Sequence, residues 1–124
     1  MPPGVNGLRG TAYTAQVLEL TLDALGLRQR VTAHNVANVE TPGYKPYRVS
    51  FEQALAQALE RKDLEVPLRV VSSARGRVRE DGNGVDIEQE MVTAAKTSIA
   101  YQAVAQQWSG LYGRLRTAIR EGRR

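Results

Sequence analysis

The sequence predicts a mainly α fold, in which two long terminal helices form an antiparallel coiled-coil-like pair around a short irregular, β-containing middle segment. Three observations predict it. Near the N-terminus Val17, Leu20, Ala24, Leu27 and Val31 recur at alternating spacings of 3 and 4, which lines them on one helix face. Near the C-terminus Ile87, Met91, Ala94, Ser98, Tyr101, Ala105, Trp108, Tyr112, Leu115 and Ile119 repeat at spacings of 4 and 3 through more than four heptads. Between the two, Pro42, Gly43 and Pro46 interrupt any regular helix.

Each element follows from local chemistry. Residues 1–10 carry two Pro and three Gly and are expected to form a mobile N-terminal arm. The first helix is expected over about 14–39, with Leu18, Leu22 and Leu25 widening its apolar stripe. A turn and an extended piece fill 40–50. Ser50 is the expected N-cap of a short helix over 51–62, with Phe51, Leu55, Ala58 and Leu59 on its apolar side. The middle segment runs over 51–85; within it Leu64 to Val71 suits a strand, and Ser72 to Gly84 reads as a polar surface loop. The last helix is expected over about 86–120. Asp86 is its N-cap, Gln89 follows at capping-box spacing, and Glu88 and Glu90 stand in the first turn, where solvated carboxylates favour the helix dipole. Residues 11–124 thus read as one domain. A 3.5-residue period kept this long asks for a partner helix, and the first helix is the nearest one. Both helices carry more apolar surface than one antiparallel pair covers, so either an intramolecular bundle with the middle segment or contacts with neighbouring subunits must cover the rest.

The point at which the first helix stops is the most specific part of the chain. In Asn35-Val36-Ala37-Asn38-Val39-Glu40-Thr41-Pro42-Gly43-Tyr44, Pro42 removes a donor and pushes Thr41 towards extended geometry. Gly43 accepts positive φ, and the two Asn side chains can bond the backbone locally. Asn35, Ala37, Asn38, Thr41, Pro42, Gly43 and Tyr44 match every specified position of the Asn-x-Ala-Asn-x-x-Thr-Pro-Gly-Tyr signature. The chain therefore resembles the bacterial flagellar basal-body rod and hook proteins. Arg30, Phe51-Glu52 and Leu55 also stand where such proteins carry an Arg and a Phe-x-x-x-Leu, and Asp81-Gly82-Asn83-Gly84-Val85-Asp86 resembles the lead-in to their last helix. At 124 residues the chain is similar to the proximal rod proteins and not to the longer distal rod and hook proteins. The resemblance implies a structural subunit that polymerises through its terminal helices into the drive shaft of flagellar motility. It implies as partners further copies, other rod proteins and components of the basal body and export gate. It places the chain in the periplasm-spanning rod, exported by the flagellar type III system without a cleaved signal.

Composition argues against several other roles. There is no Cys, so disulfides, thiolate metal sites and Cys nucleophiles are excluded. Met1-Pro2-Pro3-Gly4 lacks the charged start and apolar block of a secretory signal, and no apolar run nears the ~20 residues of a membrane span. Net charge is +4, but the first 62 residues hold 7 basic and 5 acidic groups and the last 62 hold 10 and 8, so each half is only +2. Arg114, Arg116, Arg120, Arg123 and Arg124 gather at the end of the last helix, where cations favour the dipole.

Catalytic patterns fail one by one. His34 is the sole His and has no Ser and Asp pattern beside it. A calcium loop begun at Asp81 and Asn83 would need Gly in place of Asp86 and Glu in place of Val92. Gly82-x-Gly84 lacks the third glycine of a phosphate loop. The carboxylates Glu80, Asp81, Asp86, Glu88 and Glu90 read as solvated caps. Tyr101, Trp108 and Tyr112 lie on the heptad seam, so packing explains them better than base stacking. No enzyme activity, cofactor, metal, nucleic-acid partner or membrane insertion is expected. The competing readings are a small basic helical adaptor for nucleic acid and a helical secretion chaperone or scaffold that forms a discrete soluble dimer.

Overall fold

The computed structural model describes residues 3–72, 79–80 and 82–122, with side chains from residue 9 onward. Its elements are α1 (Pro3–Ala37), β1 (Tyr47–Ser50), α2 (Glu52–Arg61), β2 (Arg69–Ser72) and α3 (Ile87–Gly122). α1 and α3 hold 35 and 36 residues, so each is a shaft of about 50 Å. They run antiparallel. Asn35 meets Glu90 at one end, and further along α1 the space beside Gly26 is bounded by Tyr101.

The expected pair of long helices is present, and α1 is longer than expected at its start. It begins at Pro3, so the described part of the supposed arm, residues 3–10, is helical. A proline is tolerated in the first turn, where its missing N–H has no helical partner. The glycines lower helix propensity there without forbidding the helix. The helix ends at Ala37, two residues before the expected limit.

Ala24, Leu25, Val49 and Phe51 form the buried core, with Leu27, Val31, Leu55, Leu68, Ala100 and Val104 packed against it. On α3 the buried residues are Glu90 and Thr97, and Thr93, Ala94, Ser98, Ala100, Val104, Ala105, Trp108, Leu111 and Leu115 are half-buried. The line that meets α1 is thus offset from the heptad seam. Ala94, Ala105, Trp108 and Leu115 of that seam are half-buried, whereas Ile87, Met91, Tyr101 and Ile119 are exposed. A single helix pair covers one side of the stripe and leaves its flank open.

The middle segment corrects three further expectations. Ser50 does not cap α2, because it pairs with Arg69 in the β1–β2 ladder. Phe51 takes the capping position with no side-chain cap bond, and burial of its ring fixes where the helix starts. The second strand is Arg69–Ser72, shorter than the expected 64–71 stretch, and pairs antiparallel with β1 from Tyr47↔Ser72 to Ser50↔Arg69. The stretch from Ser72 to Gly84 is not wholly a surface loop. Residues 73–78 and 81 lie outside the described residues, but Asn83 and Val85 are buried. α2 closes with Lys62 in the left-handed region (φ 56°), and Lys62 and Asp63 amides bond the Leu59 and Ala58 carbonyls in a Schellman arrangement.

Among the described side chains, the buried residues of the helix pair lie in the half nearest the turn: Ala24, Leu25, Thr32 and Asn35 of α1, Glu90 and Thr97 of α3. The other half packs only through half-buried side chains, and opening free energy tracks such burial. Amide hydrogen exchange on the isolated chain is therefore expected to show protection in residues 24–37 and 87–104 and fast exchange in 3–18 and 108–122. Equal protection along both helices would contradict this gradient.

Candidate assembly site

The signature turn is built around two buried asparagines. Asn35 is fully buried in the last turn of α1. Its Oδ1 accepts from the Tyr47 amide (2.9 Å) and the Tyr44 hydroxyl (3.0 Å), and its Nδ2 donates to the Tyr47 carbonyl (2.8 Å) and Glu90 Oε2 (3.2 Å). An Asn has four such bonds to make, and here all four are made. Its amide faces both the N–H and C=O of Tyr47 as a neighbouring strand would, so it closes the outer edge of β1. Arg28 continues that closure by donating to the Val49 carbonyl (2.7 Å).

The chain then turns in a fixed way. Asn38 Nδ2 donates back to the His34 carbonyl (2.8 Å), which ends α1, and the Thr41 hydroxyl donates to Asn38 Oδ1 (3.0 Å). The Thr41 amide donates to the Asn38 carbonyl and the Tyr44 amide to the Thr41 carbonyl. Gly43 has φ +74°, a conformation that L side chains rarely adopt. Ala37, Thr41, Pro42 and Gly43 are exposed, and Tyr44 is half-buried. His34, Tyr44 and Tyr47 form an aromatic cluster, with ring centroids 5.8 to 6.3 Å apart. Burial, helped by Tyr47 and Glu90 and opposed by Arg48, pushes the Tyr44 phenol above its ordinary value and keeps it a hydrogen-bond donor.

Asn83 is the second buried amide. It donates to the Asn38 carbonyl (3.0 Å) and the Thr41 carbonyl (2.5 Å) and accepts from the Val85 amide (2.8 Å). The Gly84 amide adds a bond to the Tyr44 carbonyl (2.9 Å). The chain leading into α3 is thereby stapled to the chain leaving α1. Gly82 (φ +79°) lies against Gly43, and a Cβ there would stand 3.4 Å from the Gly43 Cα. Asp86 then caps α3 as expected, accepting from the Glu88 and Gln89 amides.

Glu90 departs from expectation. It is not a solvated first-turn carboxylate but is fully buried. Its Oε2 meets Asn35, and its Oε1 lies 2.5 Å from Arg48 Nη2 in an ion pair whose angle is not that of a hydrogen bond. Arg28 was also missed, since Arg30 stands at the resembling position. Arg28 pairs with Glu52 (2.5 Å), stacks 4.7 Å from the Phe51 ring centroid, and so ties α1 to the start of α2. Its hydrogen bond holds the Glu52 carboxyl below the ordinary value of 4.5. Neither residue carries a periodicity signal, because each is defined by a partner more than 20 residues away.

The exposed flank of α3 is the other candidate surface. Met91 (64% exposed), Val92, Ile99 (69%), Tyr112 and Ile119 present apolar side chains to solvent. Trp108 and Tyr112 stack nearly parallel (5.5 Å, 9°), and Arg116 sits over the Tyr112 ring, so this Arg is not merely solvated. Among the described residues no three His, Asp or Glu side chains gather in a metal-binding set, and no helix is long and apolar enough to cross a membrane.

A buried amide hub at the junction of two long helices, with an uncovered apolar flank, suits a subunit that packs into an assembly. Comparison with known proteins agrees. Residues 16–45, which span the end of α1 and the turn, match the family described as flagella basal body rod protein. The chain is 31% identical to the flagellar basal body rod protein FlgB of Bacillus subtilis (strain 168), over 89% of this chain and 95% of that one. It belongs to the flagellar basal body rod proteins. Further FlgB relatives are those of Borrelia hermsii (32% identity; 64% of this chain, 76% of the relative) and Aeromonas hydrophila (29%; 68% and 75%). Its similarity within the family is therefore to FlgB.

Two outcomes are expected. Asn35→Ala removes the partner of the Tyr47 amide and strands the buried Glu90 Oε2, and is expected to lower stability by about 3 kcal/mol in denaturant titration, against less than about 1 kcal/mol for Thr41→Ala at the exposed turn. Equal effects would contradict the hub. The Glu52 pair stabilises above pH 4.5 and is lost as pH falls through the lowered folded value. Glu52 is 61% exposed, so Glu52→Gln is expected to remove under about 1 kcal/mol at neutral pH and nothing near pH 2.

Proposed function

We infer that this chain is a FlgB-type structural subunit of the flagellar basal-body rod, which polymerises through α1 and α3 as part of the drive shaft for motility. The observation that carries the reading is the match across nearly the whole chain to rod proteins, combined with an apolar flank of α3 that the chain itself leaves uncovered. Membership of the family implies association with other rod and basal-body components. Self-association, contact with the export gate, and export through the flagellar type III system without a cleaved signal are parts of the proposal.

The role assigned is geometric and not catalytic. Asn35, Ala37, Asn38, Thr41, Pro42, Gly43 and Tyr44 fix the direction in which the chain leaves α1, and so the angle between the shaft and the β1–α2–β2 segment. Ile87, Met91, Ala94, Tyr101, Ala105, Trp108, Leu115 and Ile119 supply apolar area to the helices they pack against, and an exposed side chain such as Met91 or Ile119 contributes about 1.5–3 kcal/mol when it becomes fully covered. The seam then serves two partners. Its half-buried members contribute within the chain and its exposed members between chains.

That division gives a direct test. Met91→Glu and Ile119→Glu alter side chains already in water, so the melting temperature of the isolated chain is expected to stay within about 2 °C of the parent. In the assembly the same charges would be desolvated without a partner, at a cost of several kcal/mol. Loss of motility and of basal-body incorporation at equal expression is therefore expected, with Arg120→Glu milder. Normal incorporation of both Glu variants would overturn the reading, and a severe Arg120→Glu effect with tolerated Met91→Glu would favour an anionic ligand instead.

A further inference from the structure

The apolar pattern between α1 and α3 does not by itself define how far one helix slides along the other. In the half nearest the turn the residues that α3 buries or half-buries are mostly small, Thr93, Ala94, Thr97, Ser98 and Ala100, whereas α1 buries or half-buries Leu25, Leu27 and Val31 beside Ala24, Gly26 and Thr32. A slip of one turn sets the same α1 side chains against another small residue of α3, and shape alone penalises it little. The Asn83 staple holds the lead-in to α3, and within the shaft itself a polar contact must specify the register.

The geometry points to Glu90 as the positioning residue that sets it. Its carboxylate is fully buried, and its two oxygens address two different elements, Asn35 of α1 at 3.2 Å and Arg48 of β1 at 2.5 Å. A slip in one direction brings Thr93 or Ala94 to the level of Asn35, and neither offers two acceptor oxygens. A slip in the other direction brings Ile87 or Asp86, and pulls the α3 cap, with its bonds to the Glu88 and Gln89 amides, into the packed junction. Every shifted register leaves the Asn35 amide and the Arg48 guanidinium without their partner. A buried polar group that fixes register is the best attested use of such groups in helix pairs. The inference concerns one chain and holds whether or not the chain assembles into a rod.

The test separates register from stability. The chain has no Cys, so Ala33→Cys and Gln106→Cys, both at exposed positions, give a clean pair for spin labels on the full-length chain. The two sites are offset by about 20 Å along the shaft, so a one-turn slip of about 5 Å changes their separation almost fully. The parent is expected to give one narrow distance by pulsed electron paramagnetic resonance. Arg48→Met/Glu90→Met fills the site without charge, a replacement that often leaves a protein as stable as before. It leaves one buried Asn35 N–H unpaired, so it is expected to stay folded while melting below the parent, and to show a second distance population displaced by about 5 Å. A folded double variant with one narrow, unshifted distance would overturn the inference. Should that variant fail to fold, Glu90→Gln, which keeps one acceptor for Asn35 and sets an amide against Arg48, is expected to broaden or split the distribution. An unshifted narrow distance there would overturn the inference equally.

Discussion

The structure depends on one side chain that makes four hydrogen bonds out of water. From the last turn of α1, Asn35 acts as a strand partner to Tyr47, holds the Tyr44 hydroxyl and reaches Glu90 of α3. A buried amide is tolerable only when its donors and acceptors are all used, and that requirement couples elements that have little apolar area to hold them together. β1 and β2 make a two-stranded ribbon of four residues each, too small to be stable alone. Anchoring β1 to α1 through Asn35 and Arg28 gives the ribbon a rigid base. Asn83 repeats the device from the other side of the turn, bonding the Asn38 and Thr41 carbonyls.

The signature acquires a physical meaning in this light. Its residues divide between those that bond inward and those that shape the backbone. Asn35, Asn38 and Tyr44 make the bonds, while Pro42 restricts the backbone and Gly43 takes a positive φ that other residues reach only with strain. The exposed positions are no less constrained than the buried one, because an error in direction at residue 43 is carried along the whole middle segment. Under the proposed function, the angle at which the chain leaves α1 is the quantity these residues control.

Much of this was legible in the sequence, and what was not follows a pattern. Alternating 3 and 4 spacings reported α1 and α3, and Asp86 with its acidic first turn reported the start of α3, because such signals are local. The stop after Ala37 was legible for the same reason. The heptad seam identified the apolar stripe but not which side of it the partner helix covers, since periodicity gives a face and not a neighbour. Ser50 has good capping chemistry, yet burial of Phe51 and the pairing of Ser50 with Arg69 prevailed over it. Glu90 looked like an ordinary helix-start carboxylate. Only the return of β1 beside α1 brings Arg48 to it, and no local rule contains that contact.

The central claim is that this chain is a rod subunit whose uncovered flank on α3 meets neighbouring helices while the Asn35 hub holds the chain's own elements. A cryo-electron microscopy map of isolated basal bodies tests it most directly. The account predicts α1 and α3 lying along the rod as a close pair, with Met91, Ile99 and Ile119 covered by helices of adjacent subunits and the turn at residues 38–44 in the bend described here. Density for this chain outside the rod, or those three side chains facing solvent within it, would contradict the account.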